Sequence, residues 1–142
     1  MNNGEQVLVD SDFWLALFIP GDSNQEAAEK LLNYLSKKEA ILITTNLVVG
    51  EVATVLSHRV SQNIATDFLG HFEVPIIHVT EMLHNRAIEW FVSSKDKGSS
   101  YVDCANVAVI EAMGIQHICA FDKVYHKRFG LNNIAYSTAK AA

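Results

Sequence analysis

Asp103 sits in Ser99-Ser100-Tyr101-Val102-Asp103-Cys104-Ala105-Asn106, a carboxylate inside an apolar, helix-compatible run. A second apolar run, His117-Ile118-Cys119-Ala120-Phe121, ends in Asp122, and the run Val7-Leu8-Val9 ends in Asp10. Glu51 interrupts another, Leu47-Val48-Val49-Gly50-Glu51-Val52. An isolated buried carboxylate is costly. Clustered carboxylates repel one another unless a cation holds them together. Mg²⁺ and Mn²⁺ are hard cations that prefer such oxygen ligands. One or two of them lower the pKa of a bound water and neutralise charge building on a phosphate. Asp10, Glu51, Asp103 and Asp122 therefore read as one metal site serving phosphoryl chemistry. Zinc is not expected, since the histidines show no His-x-x-x-His and the cysteines no Cys-x-x-Cys. Each aspartate also has a local reading: Asp10 and Asp122 precede helical segments as N-caps do, and Ser100-x-x-Asp103 matches a capping box. For Glu51 the bland reading is a solvated helix face, which costs the pattern because Leu47, Val48, Val52 and Val55 share that face.

The elements that must position these acids alternate along the chain. Strands are expected at residues 5–10, 40–44, 75–79 and 116–121, with a fifth at 133–136. Helices are expected at 12–19, at 46–60 and at 61–72, and as a stripe of Ala27, Ala28, Leu31, Leu32 and Leu35 after a Ser23/Glu26 capping box. Thr80 caps a long helix in which Leu83, Ala87, Trp90 and Phe91 align, and Gly98 ends it. A helix from Ser100 stops at Gly114, and a short one spans 123–129. This order predicts an α/β fold: a three-layer α/β/α sandwich around a mainly parallel sheet of four or five strands. Ligands of such sheets bind beyond the C-terminal strand ends, where all four acids converge.

The chain has 142 residues, 49% hydrophobic and 19% charged, which predicts a single domain over 1–136 with a flexible tail over 137–142. The formal net charge of −5 argues against strong nonspecific DNA affinity but not against a nuclease, whose ligand acids lower the net charge. Cys104 and Cys119 lie in apolar runs and read as small core residues of a reducing compartment. No charged-then-apolar leader opens the chain and no apolar stretch reaches about 18 residues, so a soluble cytoplasmic protein with no membrane role is expected. Walker, Gly-x-Gly-x-x-Gly and Gly-x-Ser-x-Gly motifs are absent from the sequence.

Val9-Asp10-Ser11-Asp12, Asn46-x-x-x-x-Glu51, Ser100-Tyr101-Val102-Asp103 and Ala120-Phe121-Asp122-Lys123, in this order, resemble the PIN-domain nucleases. The resemblance covers essentially the whole chain, is most specific from Gly98 to Leu131, and is greatest to the compact VapC-type toxins of toxin–antitoxin pairs. It implies a Mg²⁺- or Mn²⁺-dependent endoribonuclease that cuts structured RNA such as transfer or ribosomal RNA, forms a homodimer and has a cognate antitoxin. On this resemblance Asp10, Asp103 and Asp122 bind metal, Glu51 completes the site and Ser100 supports it. The family frequently has Thr or Ser where this chain has Ala120, so a hydrogen bond that tunes metal affinity is expected to be missing. Asp12 is a fifth, supporting acid, whose simpler reading is an exposed acid in the first turn of a helix.

Lys95, Lys97, Lys123, Lys127 and Arg128 flank the inferred site, and Lys97, Lys123, Lys127 and Arg128 are candidates for phosphate contacts with RNA. Trp14, Phe18, Trp90 and Phe91 have helical spacing and read as core rather than as a partner surface. Three other functions fit parts of the pattern. Asp10-Ser11-Asp12 resembles the start of haloacid-dehalogenase-like phosphatases, although Trp14 stands where Thr or Val would be expected and Glu51 has no role there. A non-catalytic RNA- or protein-binding PIN module and a housekeeping RNA-processing nuclease share the fold.

Overall fold

The computed structural model describes residues 1–94 and 98–141, with side chains through 137. The elements run β1 (Gln6–Val9), α1 (Ser11–Phe18), α2 (Gln25–Lys37), β2 (Ile41–Thr45), α3 (Asn46–Arg59), α4 (Gln62–His71), β3 (Ile76–Ile77) and α5 (Glu81–Val92). They continue with α6 (Tyr101–Met113), β4 (His117–Cys119), α7 (Val124–Lys127) and α8 (Ile134–Ala141). The strands form one parallel sheet in the order β3-β2-β1-β4. Leu8 pairs with Ile43 on one side and Ile118 on the other, so β1 is central.

Alternation along β1 divides the core. Val7 and Val9 face one layer with Phe13, Leu35, Val48, Val52 and Leu56, while Leu8 faces the other with Val107, Val109, Ile118 and Tyr125. Both faces of the sheet are covered, which is why Val7, Leu8 and Val9 of β1 are apolar in succession rather than alternating with polar residues. Caps fix where the helices start: Thr45 Oγ1 accepts from Val48 N–H, Ser61 Oγ from Ile64 N–H and Thr80 Oγ1 from Leu83 N–H. Gly114, at φ 64°, ends α6 in the left-handed conformation that glycine adopts without strain.

Several local expectations are corrected. The 133–136 segment is not a strand. Asn133 makes a single parallel bridge to Ile118, and a helix, Ile134–Ala141, begins at the next residue. The bridge stops after one residue because the Asn133 side chain itself pairs with the backbone of Ala120, donating to its C=O (2.8 Å) and accepting from its N–H (3.2 Å). The cap of α2 is Asn24 and not Ser23, with Asp22 Oδ1 accepting from Asn24 N–H. The long helix from Thr80 ends at Val92, before Gly98. Trp14 is core, but Phe18 and Phe91 are 42% and 46% exposed, Phe18 covering the edge of the core with its ring against Trp14 and Phe68. Cys104 and Cys119 are both free and buried. Among the described residues no helix is long and apolar enough to cross a membrane.

Candidate active site

β1 delivers Asp10 to its C-terminal end, where Asp10 caps α1 with its side chain accepting from Ser11 N–H (2.7 Å). α6 delivers Asp103 in its first turn, fixed by a reciprocal capping box. Ser100 Oγ accepts from Asp103 N–H (3.0 Å), and Asp103 Oδ2 accepts from Ser100 N–H (2.9 Å). The cap leaves Asp103 Oδ1 free to turn toward the sheet.

The two acids meet at Tyr125, a fully buried phenol on α7. Its hydroxyl lies 2.7 Å from Asp10 Oδ2 and 2.9 Å from Asp103 Oδ1. Asn106, one turn after Asp103 on α6, donates to Asp10 Oδ1 (3.2 Å) and to the Tyr125 oxygen (2.9 Å). A hydroxyl has one proton to donate. Its two contacts to carboxylate oxygens are both hydrogen bonds only when one carboxyl carries a proton of its own. Burial, and after it the charge of Asp12, raises Asp10 to about 7, which makes Asp10 the group that retains that proton. Burial and the two neighbouring carboxylates push the Tyr125 hydroxyl well above its usual range, so it remains a donor.

Asp12 is not the exposed helix acid expected of it. It is half-buried in the first turn of α1, and its Oδ2 accepts from the N–H groups of Phe121 (3.0 Å) and Asp122 (2.9 Å). It therefore ties the end of β1 to the turn after β4. Burial raises it to about 6, with the charge of Asp122 acting in the same direction. Its other oxygen, Oδ1, is buried without a hydrogen-bond partner. Asp122 itself is exposed, with Oδ1 accepting from Val124 N–H (2.9 Å).

Glu51 is exposed on α3, and among the described residues no hydrogen bond links it to this network. The apolar pattern around it is satisfied by Val48 and Val52, which are buried, with Leu47 and Val55 half-buried. Among the described residues no three His, Cys, Asp or Glu side chains stand together as a ready metal cage. The expected four-acid cluster is thus drawn as two engaged acids, Asp10 and Asp103, and two solvent-facing ones, Glu51 and Asp122. Like charges repel, and the buried pair has taken neutral donors, Tyr125 and Asn106, in place of each other.

The donor set still suits a hard divalent cation. Every acid offers carboxylate oxygen, and Asp12 Oδ1 is a buried lone-pair donor with no hydrogen-bond partner among the described residues.

Of the residues considered for RNA, Lys97 lies outside the described residues. Arg128 is engaged within the fold: it donates to the Trp90 carbonyl and to Cys104 Sγ (3.8 Å), and stacks over the Phe129 ring at 4.5 Å. Lys123 and Lys127 line a cavity beside Asp122. Sequence reasoning missed Tyr125 and Asn106. Asn106 carried a signal, since Asp103 and Asn106 lie three residues apart and share a face of α6. Tyr125 carried none, because an aromatic in a short helix reads as packing.

The sequence profile of the PIN domain matches residues 7–130. The 23S rRNA-specific endonuclease VapC20 of Mycobacterium tuberculosis is 34% identical over 119 residues, covering 82% of this chain and 88% of that protein. The crystal structure of VapC20, described as a sarcin–ricin-loop-cleaving toxin, superposes with a TM-score of 0.73 at 32% identity, over 82% of this chain and 90% of that one. VapBC2 from Rickettsia felis, solved with a DNA fragment from its promoter, shares the fold with a TM-score of 0.68 at 14% identity, over 90% and 96% of the two chains.

Proposed function

The chain belongs to the PIN-domain family, and on that premise we propose that it is a metal-dependent endoribonuclease, the VapC-like toxin of a toxin–antitoxin pair. The observation that carries the reading is the meeting of Asp10 and Asp103 at one buried hydroxyl, at the carboxyl end of the central strand. This is where open α/β sheets bind ligands. The 34% identity to an rRNA-specific endonuclease supports ribosomal RNA of the large subunit as the substrate. A cognate antitoxin, in keeping with the likeness to a toxin, completes the proposal, together with a homodimeric state and a cytoplasmic setting.

Asp10, Asp103 and Asp122 would hold Mg²⁺ or Mn²⁺, one ion or two, with Glu51 completing the acidic rim. When bound, the ion supplies a water of lowered pKa and neutralises charge on the phosphate. The chain's own residues do the positioning. The Ser100 capping box fixes the backbone and one oxygen of Asp103, leaving Oδ1 for the site. Tyr125 and Asn106 hold Asp10 and Asp103 in register and keep water away from the buried side. Asp12 holds the backbone of residues 121 and 122, which orients Asp122 toward solvent and substrate. Ala120 offers no side-chain hydroxyl, and Asn133 secures its backbone instead.

The family assignment displaces the phosphatase reading of Asp10-Ser11-Asp12. Catalysis separates the remaining readings. Purified ribosomes incubated with the protein and Mn²⁺ should acquire one new 5′ end in large-subunit RNA, mapped by primer extension. Uncut ribosomal RNA beside cleaved transfer RNA would move the substrate; cleavage of neither would favour the binding module.

A further inference from the structure

Beside Asp122 lies a cavity of about 460 Å³ bordered by α7 and α8 and lined by Lys123, His126, Lys127, Asn132, Asn133 and Tyr136, among others. Its volume is within the roughly 300–1,000 Å³ typical of small-ligand sites. We infer that this cavity receives one unstacked nucleotide of the RNA strand next to the scissile phosphodiester. The base lies against the rings of Tyr136 and His126, and Lys123 and Lys127 hold the adjoining phosphates. The inference rests on the nuclease reading and deepens it by assigning a second contact to the same strand.

Three observations carry it. The first is charge. In a chain of net charge −5, two lysines and a histidine line one cavity, and among the described residues neither lysine is paired with a carboxylate. Unpaired cations beside an aromatic surface suit a phosphate with a base attached. The second is attachment. The Tyr136 hydroxyl donates to the Phe121 carbonyl, and Asn133 clamps the backbone of Ala120, so two cavity walls are hydrogen-bonded to the residues that lead into Asp122. Asn132 is held in turn by His117 Nδ1 at 2.6 Å. A nucleotide seated here is therefore fixed relative to the acids. The third is chemistry. Tyr136 and His126 bring two aromatic rings to the wall of the cavity. Single-stranded RNA is recognised by stacking of splayed bases on such rings, and a folded loop supplies bases already out of the stack.

The test measures binding without catalysis. A short fluorescein-labelled oligoribonucleotide of mixed sequence is titrated in EDTA against the wild type, His126→Ala/Lys127→Ala and Lys127→Arg. The first two positions are exposed on a short surface helix, and thermal melting checks that the double variant folds. It should bind about tenfold more weakly and with a shallower salt dependence, as expected on losing a phosphate contact and a stack. Lys127→Arg should bind as the wild type does. A 4-thiouridine oligonucleotide should photo-crosslink to the peptide carrying His126 or Tyr136. Equal affinity of wild type and double variant, or crosslinks confined to other peptides, would overturn the cavity assignment. Failure of the nuclease reading shows differently, as a wild type that binds the oligonucleotide in EDTA yet cuts no RNA when Mn²⁺ is supplied.

Discussion

Raising the pH should destabilise this protein when it is free of metal, and Asp10 should be the main cause. In the native site Asp10 keeps its proton up to about pH 7, whereas an ordinary aspartate releases it near 3.8. Between those values the native state holds more protons than the unfolded chain, so stability falls as pH rises, and the full penalty is present above about 7. The span of roughly three pH units, at about 1.4 kcal/mol each, gives about 4 kcal/mol at most. Asp12, raised to about 6, acts in the same sense. Its charge is already one cause of the Asp10 shift, so the two effects do not simply add. A melt at pH 5 and another at pH 8 cross about two of those units. The loss is then about 3 kcal/mol, or a fall in Tm of roughly 6–12 °C for a chain of this size. The assay is thermal unfolding by circular dichroism in EDTA. Asp10→Asn removes the titrating group while keeping the shape, so its fall should be less than half that of the wild type, and it should melt above the wild type at pH 8. Millimolar Mn²⁺ should restore the wild type at pH 8 by mass action, because a cation binds the ionised site. A wild type whose Tm is the same at both pH values, or an Asp10→Asn variant that falls as far, would refute the buried-proton argument.

Other outcomes follow from the same network. Tyr125→Phe removes the hydroxyl shared by Asp10, Asp103 and Asn106; it should cost about 2–4 kcal/mol in urea melts of the metal-free protein, and a loss below 0.5 kcal/mol would contradict the bridge. Asp12→Ala strips the acceptor from the N–H groups of Phe121 and Asp122. It should destabilise by about 2 kcal/mol and lower kcat at least tenfold, read in the same cleavage assay at saturating RNA. Asn133→Ala unpairs both backbone groups of Ala120, and amide hydrogen exchange at residue 120 should rise about tenfold or more while β1 stays protected. Burial raises the thiols of both Cys104 and Cys119, so iodoacetamide at neutral pH should label neither until urea unfolds the chain; labelling of the folded protein would show that the core is looser than described.

The sheet and its order of elements were legible because β1, β2 and β4 are short apolar runs separated by helical stripes, and both faces of a parallel sheet are covered. The meeting of Asp10 and Asp103 was legible for the same reason, since one ends a buried strand and the other opens a helix at the carboxyl edge of the sheet. Asp12 was misread because a helix acid looks solvated from its own helix. Its partners, the N–H groups of residues 121 and 122, lie more than a hundred positions away. Glu51 erred the other way. Its apolar neighbours promised burial, but Val48 and Val52 fill the core and Glu51 faces solvent. The fifth strand failed at Asn133, where a side chain performs the pairing that a further backbone residue would have made. Tyr125 shows the general limit: an aromatic in a four-residue helix reads as packing, and only three-dimensional proximity shows that its hydroxyl lies between two carboxylates.

The central claim is that these acids form a metal-dependent ribonuclease site, and cleavage of total RNA by the purified protein tests it most directly. With Mn²⁺ or Mg²⁺ the wild type should produce discrete fragments, while EDTA and Asp103→Asn should each leave the RNA intact. Fragments that persist in EDTA, or that Asp103→Asn produces at the wild-type rate, would contradict the account.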